Sequence, residues 1–183
     1  ECIARIKEYL SYFPSSSWAY APQSTGADTD RRSLDELLEI IPVDGRKLYD
    51  MRHVISVLVD DGAFFQVQPD FGETVITALA HIGGTPVAIV ANQPAVKGGG
   101  IDSDGADKGA RFIQIADSYH LPIVNLCDNP GVLAGSDAER SGILRHGGRM
   151  FAAQVNTQTP KFHVTLRKAY GFGGCIMGML GFN

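Results

Sequence analysis

The sequence predicts an α/β fold with largely parallel strand pairing, and three observations carry that expectation. From residue 86 onward an apolar strand, a Gly-rich loop and a helix follow one another three times. The 21 glycines cluster, as at 83–84, 98–100 and 173–174, which marks places where backbone must turn sharply or approach closely. The composition, 44% hydrophobic and 20% charged over 183 residues, suits one globular domain with a substantial core.

The elements follow in order. Ile3, Ile6, Tyr9, Leu10 and Phe13 recur at helical spacing over residues 1–13. Residues 15–17 and 22–30 read as linker. Ser33-Leu34-Asp35-Glu36 has the form of a capping box, with Leu34, Leu37, Leu38 and Ile41 on one helix face. Pro42 should end that helix. Asp50 can cap a second one, with Val54, Ile55 and Leu58 inward and Gly62 as its stop. The period then changes to two: Phe65 and Val67 alternate with Gln66 and Gln68. Residues 75–82 and 86–91 read as a hairpin joined at Gly83-Gly84. After the loop Lys97-Gly98-Gly99-Gly100, Asp104 is expected to cap a helix with Ala106, Gly109, Phe112, Ile113 and Ala116 inward. Residues 122–126 form a short buried strand. Ser136-Asp137-Ala138-Glu139 is a second capping box, expected to open one long helix reaching Thr157. Residues 162–166 are another buried strand, and the last helix is expected to start near Gly173.

Several function classes fall away on composition. A net charge of −4 argues against a nucleic-acid binder, which usually carries a basic stripe. No apolar run approaches the roughly 20 residues that span a bilayer. Cys2, Cys127 and Cys175 are widely spaced and form no CxxC pair, so neither a zinc site nor a disulfide framework is expected, and a reducing compartment fits best. The chain opens Glu1-Cys2-Ile3 with no signal-peptide pattern, and an apolar segment at 175–180 ends abruptly. Both features predict a piece of a longer polypeptide.

The sharpest chemical signal is Arg167-Lys168-Ala169-Tyr170-Gly171-Phe172-Gly173-Gly174. A strand running into glycines at a helix start would present the amides of Phe172, Gly173 and Gly174 as free donors. That is the geometry of an oxyanion hole, in which fixed N–H groups meet charge developing on a carbonyl oxygen. The same glycines also suit a tight turn with no chemistry. Asp128-Asn129-Pro130-Gly131 ends a buried strand, where ligand loops and plain turns both occur. His146 reads more simply as a surface or packed histidine, and His163 as structural. Ser136 and Ser141 have no His/Asp arrangement. GxSxG, GxxxxGK[ST] and HExxH are absent, and no metal is expected.

Four stretches, in order, give the chain a family likeness: residues 45–52 followed by Phe64-Phe65; the hairpin ending in residues 86–92; Asp107-Lys108-Gly109-Ala110-Arg111-Phe112 with Pro122-Ile123 and residues 128–131; and residues 167–171 with their glycines. Over roughly residues 40–183 the chain resembles the C-terminal half of the carboxyltransferase (beta) subunits of biotin-dependent acyl-CoA carboxylases. The resemblance implies a crotonase-like (ClpP/crotonase) fold of repeated β-β-α units. It divides the chain into an N-terminal helical or linker segment, 1–44, and a biotin-side domain, 45–183, truncated at its C-terminus. It implies biotin carried on a separate protein or domain, with acyl-CoA as substrate. It also implies an acyl-CoA half, a biotin carboxyl carrier and a biotin carboxylase as partners, dimers that assemble to a hexamer, and a cytoplasmic location (the mitochondrial matrix in a eukaryote).

Carried over residue by residue, the biotin-side donors fall on the amides of Phe172 and Gly173, with Gly174 beside them. Pro130, Gly131, Tyr170 and Gly171 fall on substrate-binding positions. Cys175 has two readings, a face on the acyl pocket or plain packing. In that chemistry charge builds on the ureido oxygen of biotin and on an acyl-CoA enolate. Two sets of fixed amides then suffice without a side-chain base. The chain departs from the family at Val132-Leu133-Ala134, where Phe commonly follows Pro-Gly, and at its glycine-heavy 98–102 segment. It carries no Met-Lys-Met biotinylation motif and no ATP-binding motif. The expected activity is carboxyl transfer between carboxybiotin and an acyl-CoA such as propionyl-CoA or acetyl-CoA, with this piece inactive alone and exposing an apolar face. Alternatives are an acyl-CoA decarboxylase subunit of a biotin-linked complex, a non-catalytic assembly domain, and a stand-alone crotonase-type hydratase or hydrolase.

Overall fold

Gly83 and Gly84 adopt φ of +58° and +76°, the backbone a two-residue hairpin needs. The Asp60 carboxylate accepts from both their amides, at 2.9 and 2.7 Å. This turn joins β2 (Val75–Ile82) to β3 (Thr85–Asn92) in unbroken antiparallel register. The computed structural model describes residues 1–24 and 33–180, so most of the linker expected at 22–30 lies outside the described residues.

Around the hairpin a five-stranded sheet runs in the order β1-β2-β3-β4-β5. The edge strand β1 (Phe64–Val67) pairs antiparallel with β2, whereas β4 (Ile123–Asn129) and β5 (Lys161–Ala169) continue from β3 in parallel. Side chains alternate between two cores. Val75, Leu79, Ala88, Val90, Ile123 and Cys127 face one, shared with α4 (Ser103–Ser118), α6 (Ile143–Asn156) and α7 (Gly171–Ile176). Ile76, Ala78, Ile89, Ala91, Val124 and Leu126 face the other, closed by α3 (Met51–Leu58). Covered on both faces, β2 to β4 read as the near-continuous apolar runs of a buried sheet. The first helix, α1 (Cys2–Ser11), also joins the assembly: its Tyr9 packs on the first core, and just past its end Phe13 packs there too and Tyr12 is buried.

One β-β-α unit, β2-β3-α4, is complete. A single parallel bridge, Ile101 to Val132, joins the loops that follow β3 and β4.

Several local expectations are corrected. The strand expected to be buried at 162–166 is the edge strand β5, with Phe162 57% and Val164 43% exposed, because no further strand pairs with it among the described residues. The helix expected at 34–41 shrinks to α2 (Leu37–Ile40), because Ser33 Oγ accepts from the Asp35 amide in a local turn and no side chain caps the helix. Asp102, not Asp104, caps α4. Its Oδ1 accepts from the Gly105 amide and from the Thr74 hydroxyl, both at 2.8 Å. The single helix expected from Ser136 is two, α5 (Ser136–Arg140) and α6, because Gly142 takes the left-handed conformation between them. Ser136 makes no capping bond, and Gly135 occupies that position. The last helix begins at Gly171, two residues before the expected start.

Candidate active site

Because β3, β4 and β5 are parallel, their C-terminal ends deliver three loops to one edge of the sheet: residues 93–100, 130–135 and the turn at 170–171. In open α/β sheets this is the edge where ligands bind. Asn92, the last residue of β3, joins the first loop to the second. Its Oδ1 accepts from the Asp128 amide at 2.6 Å, and its Nδ2 donates to the Asp128 carbonyl. Gly99 sits against the same place, where an added Cβ would fall 2.6 Å from the Asp128 carbonyl oxygen.

Asn129 joins the second loop to the third. Its carbonyl accepts from the Tyr170 amide at 3.3 Å, and its Oδ1 accepts from the Gly131 amide at 2.9 Å. It is fully buried, as is Asp128. Sequence reasoning placed this pair in a turn or ligand loop, without seeing that it braces the glycines of another loop.

The structure brings most of the expected site residues together. Gly173 lies so close to Gly131 that an added Cβ would stand 2.6 Å from its Cα and carbonyl carbon. A Cβ on Gly131 (φ +127°) would stand 3.6 Å from the Tyr170 carbonyl oxygen. Pro130 and Tyr170 are exposed at the rim. The Phe172 ring turns away from the loops to pack on Phe151 and over Gly147, leaving its backbone in the turn. The Cys175 thiol is half-buried and donates to the Gly171 carbonyl at 3.4 Å.

The donor count needs a correction. With the helix starting at Gly171, the Gly174 amide reaches the Tyr170 carbonyl at 3.3 Å and is spent within the protein. The amides of Phe172 and Gly173 have no acceptor among the described residues. Gly174 is glycine for space: a Cβ there would meet the Ala169 carbonyl at 2.9 Å.

Beneath the turn sits a charged anchor. The Arg167 Nε donates to Asp128 Oδ2 at 2.6 Å, and its guanidinium lies 4.7 Å from the centre of the Tyr49 ring. Burial first, and the Asp128 charge second, push the Tyr49 phenol above its ordinary pKa. Cys127 is a buried thiol pushed up to about 12, chiefly by burial, which makes it inert at neutral pH. The two histidines hold structural posts. His146 Nδ1 lies 2.9 Å from the Asp107 carboxylate, and His163 contacts the Met177 carbonyl and the Thr165 hydroxyl. A cleft of about 390 Å³ opens beside the second loop, lined by Lys97, Asp102, Ser103, Leu133 and Ser141 among others, and none of its lining residues belongs to the 170–174 turn. Among the described residues no helix is long and apolar enough to cross a membrane.

Comparisons with known proteins agree with this architecture. The methylmalonyl-CoA decarboxylase subunit alpha of Veillonella parvula is 40% identical over 171 residues, covering 93% of this chain and 34% of that protein. The propionyl-CoA carboxylase carboxyltransferase subunit of Haloferax mediterranei is 41% identical over 166 residues, covering 91% and 32%. The crystal structure of transcarboxylase 12S with hydrolysed methylmalonyl-coenzyme A superposes with a TM-score of 0.92 at 39% identity, over 95% of this chain and 34% of that one. The chain thus spans about a third of the length of the curated relatives it matches, and its fold is crotonase-like. The carboxyl transferase domain profile matches residues 1–181, and the chain belongs to that family.

Proposed function

We propose that this chain is the biotin-facing half of a carboxyltransferase subunit, and that the complete subunit moves a carboxyl group between carboxybiotin and a short acyl-CoA. One observation carries the reading. Two adjacent amides, Phe172 and Gly173, have no acceptor among the described residues, on a turn held by backbone contact with Gly131. The donor set suits the group: two N–H vectors from one turn can share a single anionic oxygen, as the ureido oxygen of biotin becomes. Carboxybiotin supplies the carboxyl group and, once that has left, a basic ring nitrogen. The residues of this chain then have three tasks. Phe172 and Gly173 donate to the oxygen. Pro130, Gly131, Tyr170 and Gly171 wall the ring. Cys175 stands one helical turn beyond, toward the acyl group.

The acyl-CoA half, a biotin carboxyl carrier and a biotin carboxylase are the partners this reading requires. Assembly through dimers to a hexamer accords with the hexamer described for transcarboxylase 12S. Exposed Phe162 and Val164 on β5 and Leu144 on α6 supply apolar surface for such contacts. We assign the protein to the cytoplasm, or in a eukaryote to the mitochondrial matrix, as the name of the human propionyl-CoA carboxylase beta chain indicates for that relative. The Veillonella relative favours a second reading of direction, in which the same site removes a carboxyl group from an acyl-CoA.

The test is the complete subunit mixed with carboxybiotin and propionyl-CoA or acetyl-CoA, and separately with methylmalonyl-CoA and free biotin. Transfer is expected in at least one direction. No transfer in either, from a folded oligomer, would overturn the proposal.

A further inference from the structure

Arg167 is held by an ion pair and by backbone carbonyls from a distant strap of chain. Beyond its 2.6 Å bond to Asp128, the two N–H groups of its Nη1 are shared among three carbonyls in one strap of chain: Pro42 at 3.2 Å, Asp44 at 3.1 Å and Lys47 at 3.0 Å. Its neighbour Lys168 donates to the Gly45 carbonyl of the same strap at 3.1 Å. Yet the pair is incompletely satisfied. Arg167 Nη2 and Asp128 Oδ1 are buried without a hydrogen-bond partner, and the Lys168 ammonium stands 3.9 Å from that oxygen. The Arg167 side chain is 9% exposed and that of Asp128 0%. Burying such a pair carries a large desolvation cost, and apolar residues of similar volume often serve stability as well or better. A buried polar atom left unpaired calls for an explanation.

Position in the chain supplies it. Asp128 is two residues before Pro130, and Arg167 is three before Tyr170. The pair therefore lies where β4 and β5 give way to the two loops that meet at Gly131 and Gly173. We propose that Arg167, braced by Asp128 and by the strap at 42–47, is a positioning residue that fixes the 170–173 turn against the 130–131 loop and so sets the aim of the Phe172 and Gly173 amides. This deepens the functional reading above and rests on it for its kinetic consequence. The apolar residues that flank the pair fix the sheet, whereas the charged pair fixes the spacing of two loop origins through directional bonds, which methyl groups cannot do.

Two variants of the complete subunit test it. Asp128→Leu with Arg167→Met replaces the pair by apolar groups and keeps the core filled. Arg167→Lys keeps a positive charge near Asp128 and forfeits the fork that grips the strap. In both, kcat with free biotin should fall about a hundredfold, the cost of a loop-scale misplacement, while the acyl-CoA Kd measured by calorimetry stays at the wild-type value. Amide hydrogen exchange should quicken at Tyr170 and Gly174, whose N–H groups bond to Asn129 and Tyr170 in the native turn. A purely structural role would lower activity only with the folded fraction and leave exchange at the turn unchanged in the folded protein. Wild-type kcat in either folded variant, or unchanged exchange at Tyr170, overturns the assignment. The failure of the functional reading looks different: the wild-type subunit itself would then transfer no carboxyl group, and the exchange measurement would still report on the clamp.

Discussion

Replacing Gly173 by alanine puts the proposed donor turn under direct strain. The new Cβ would fall inside contact distance of Asn129 Oδ1 and 2.6 Å from the Cα and carbonyl carbon of Gly131, where ordinary contact begins at 3.4 Å. The carbon atoms belong to backbone, and Asn129 is buried with its Oδ1 already bonded to the Gly131 amide, so no flexible side-chain end can yield. The turn must move off the loop by roughly 0.8 Å, a displacement of the order that costs about a hundredfold in rate when it misaims catalytic groups. That corresponds to about 2.7 kcal/mol of transition-state stabilisation. Overpacking should also lower stability by roughly 1–3 kcal/mol. The assay is carboxyl transfer by the complete subunit, with kcat and KM for biotin separated, beside thermal unfolding. Gly148→Ala is the control: it lies in α6 with no atom near its added Cβ, and it should keep wild-type transfer while gaining up to about 1 kcal/mol in helix propensity. If Gly173→Ala folds and turns over at the wild-type rate, the two amides are not the donors.

Two further predictions concern stability. Asp102→Ala removes the cap of α4 and the partner of Lys97 at 2.7 Å, and should cost about 1–2 kcal/mol in urea unfolding at neutral pH. Burial raises the Asp102 pKa, but Lys97, the Gly105 amide and Thr74 outweigh it and hold the carboxyl below its ordinary 3.8. The stabilisation is therefore present above that value and lost in more acid solution, so wild type and variant should converge there. Lys108 is 2% exposed, its ammonium donating to the Phe71 and Gln68 carbonyls at 2.5 and 3.3 Å, and burial pushes it down to about 8 from 10.5. Between those values the unfolded chain binds the extra proton, so the wild type should gain roughly 2 kcal/mol relative to Lys108→Met between pH 7.5 and pH 10. A constant difference in unfolding free energy across that range would refute it.

The parts of the fold legible in the sequence are those set by local rules. The Gly83-Gly84 hairpin, the cap at Asp50 and the apolar faces of α3 and α4 need no distant residue to be read. The misreadings share one cause. Asp102 and Asp104 are both plausible caps, and Thr74, 28 residues away in the chain, selects the first through its hydroxyl. Gly142 breaks a helix that its neighbours would propagate, and a lone glycine in a helical pattern does not announce whether it will turn left-handed. The turn itself was legible, from glycines after a strand. Its donor count was not, because starting α7 two residues earlier consumes the Gly174 amide. The reason Gly173 must be glycine was also hidden, since it lies in Gly131, 42 residues back. So was the Arg167 clamp, whose partners sit at 42–47 and at 128.

The vacancy of the Gly173 amide is itself informative. The residue is buried in this chain, and an acceptor stands beside it, because Asn129 Oδ1 would touch a Cβ on Gly173. That oxygen instead takes the Gly131 amide, at 2.9 Å. A buried donor left without a partner costs about 1–3 kcal/mol, and a small rotation of the Asn129 amide toward Gly173 would relieve it. That rotation would give up a bond at the other end, where Asn129 Nδ2 donates to the Cys127 sulfur at 3.2 Å inside a fully buried strand. Asn129 is thereby committed to shaping the loop. On the reading proposed above, the Gly173 N–H, bonded to no acceptor among the described residues, would meet an arriving anionic oxygen without first giving up a bond inside the protein. Preorganised donors of this kind contribute most, on the order of 10²–10³ in rate apiece, and only to an oxygen whose charge grows during the reaction.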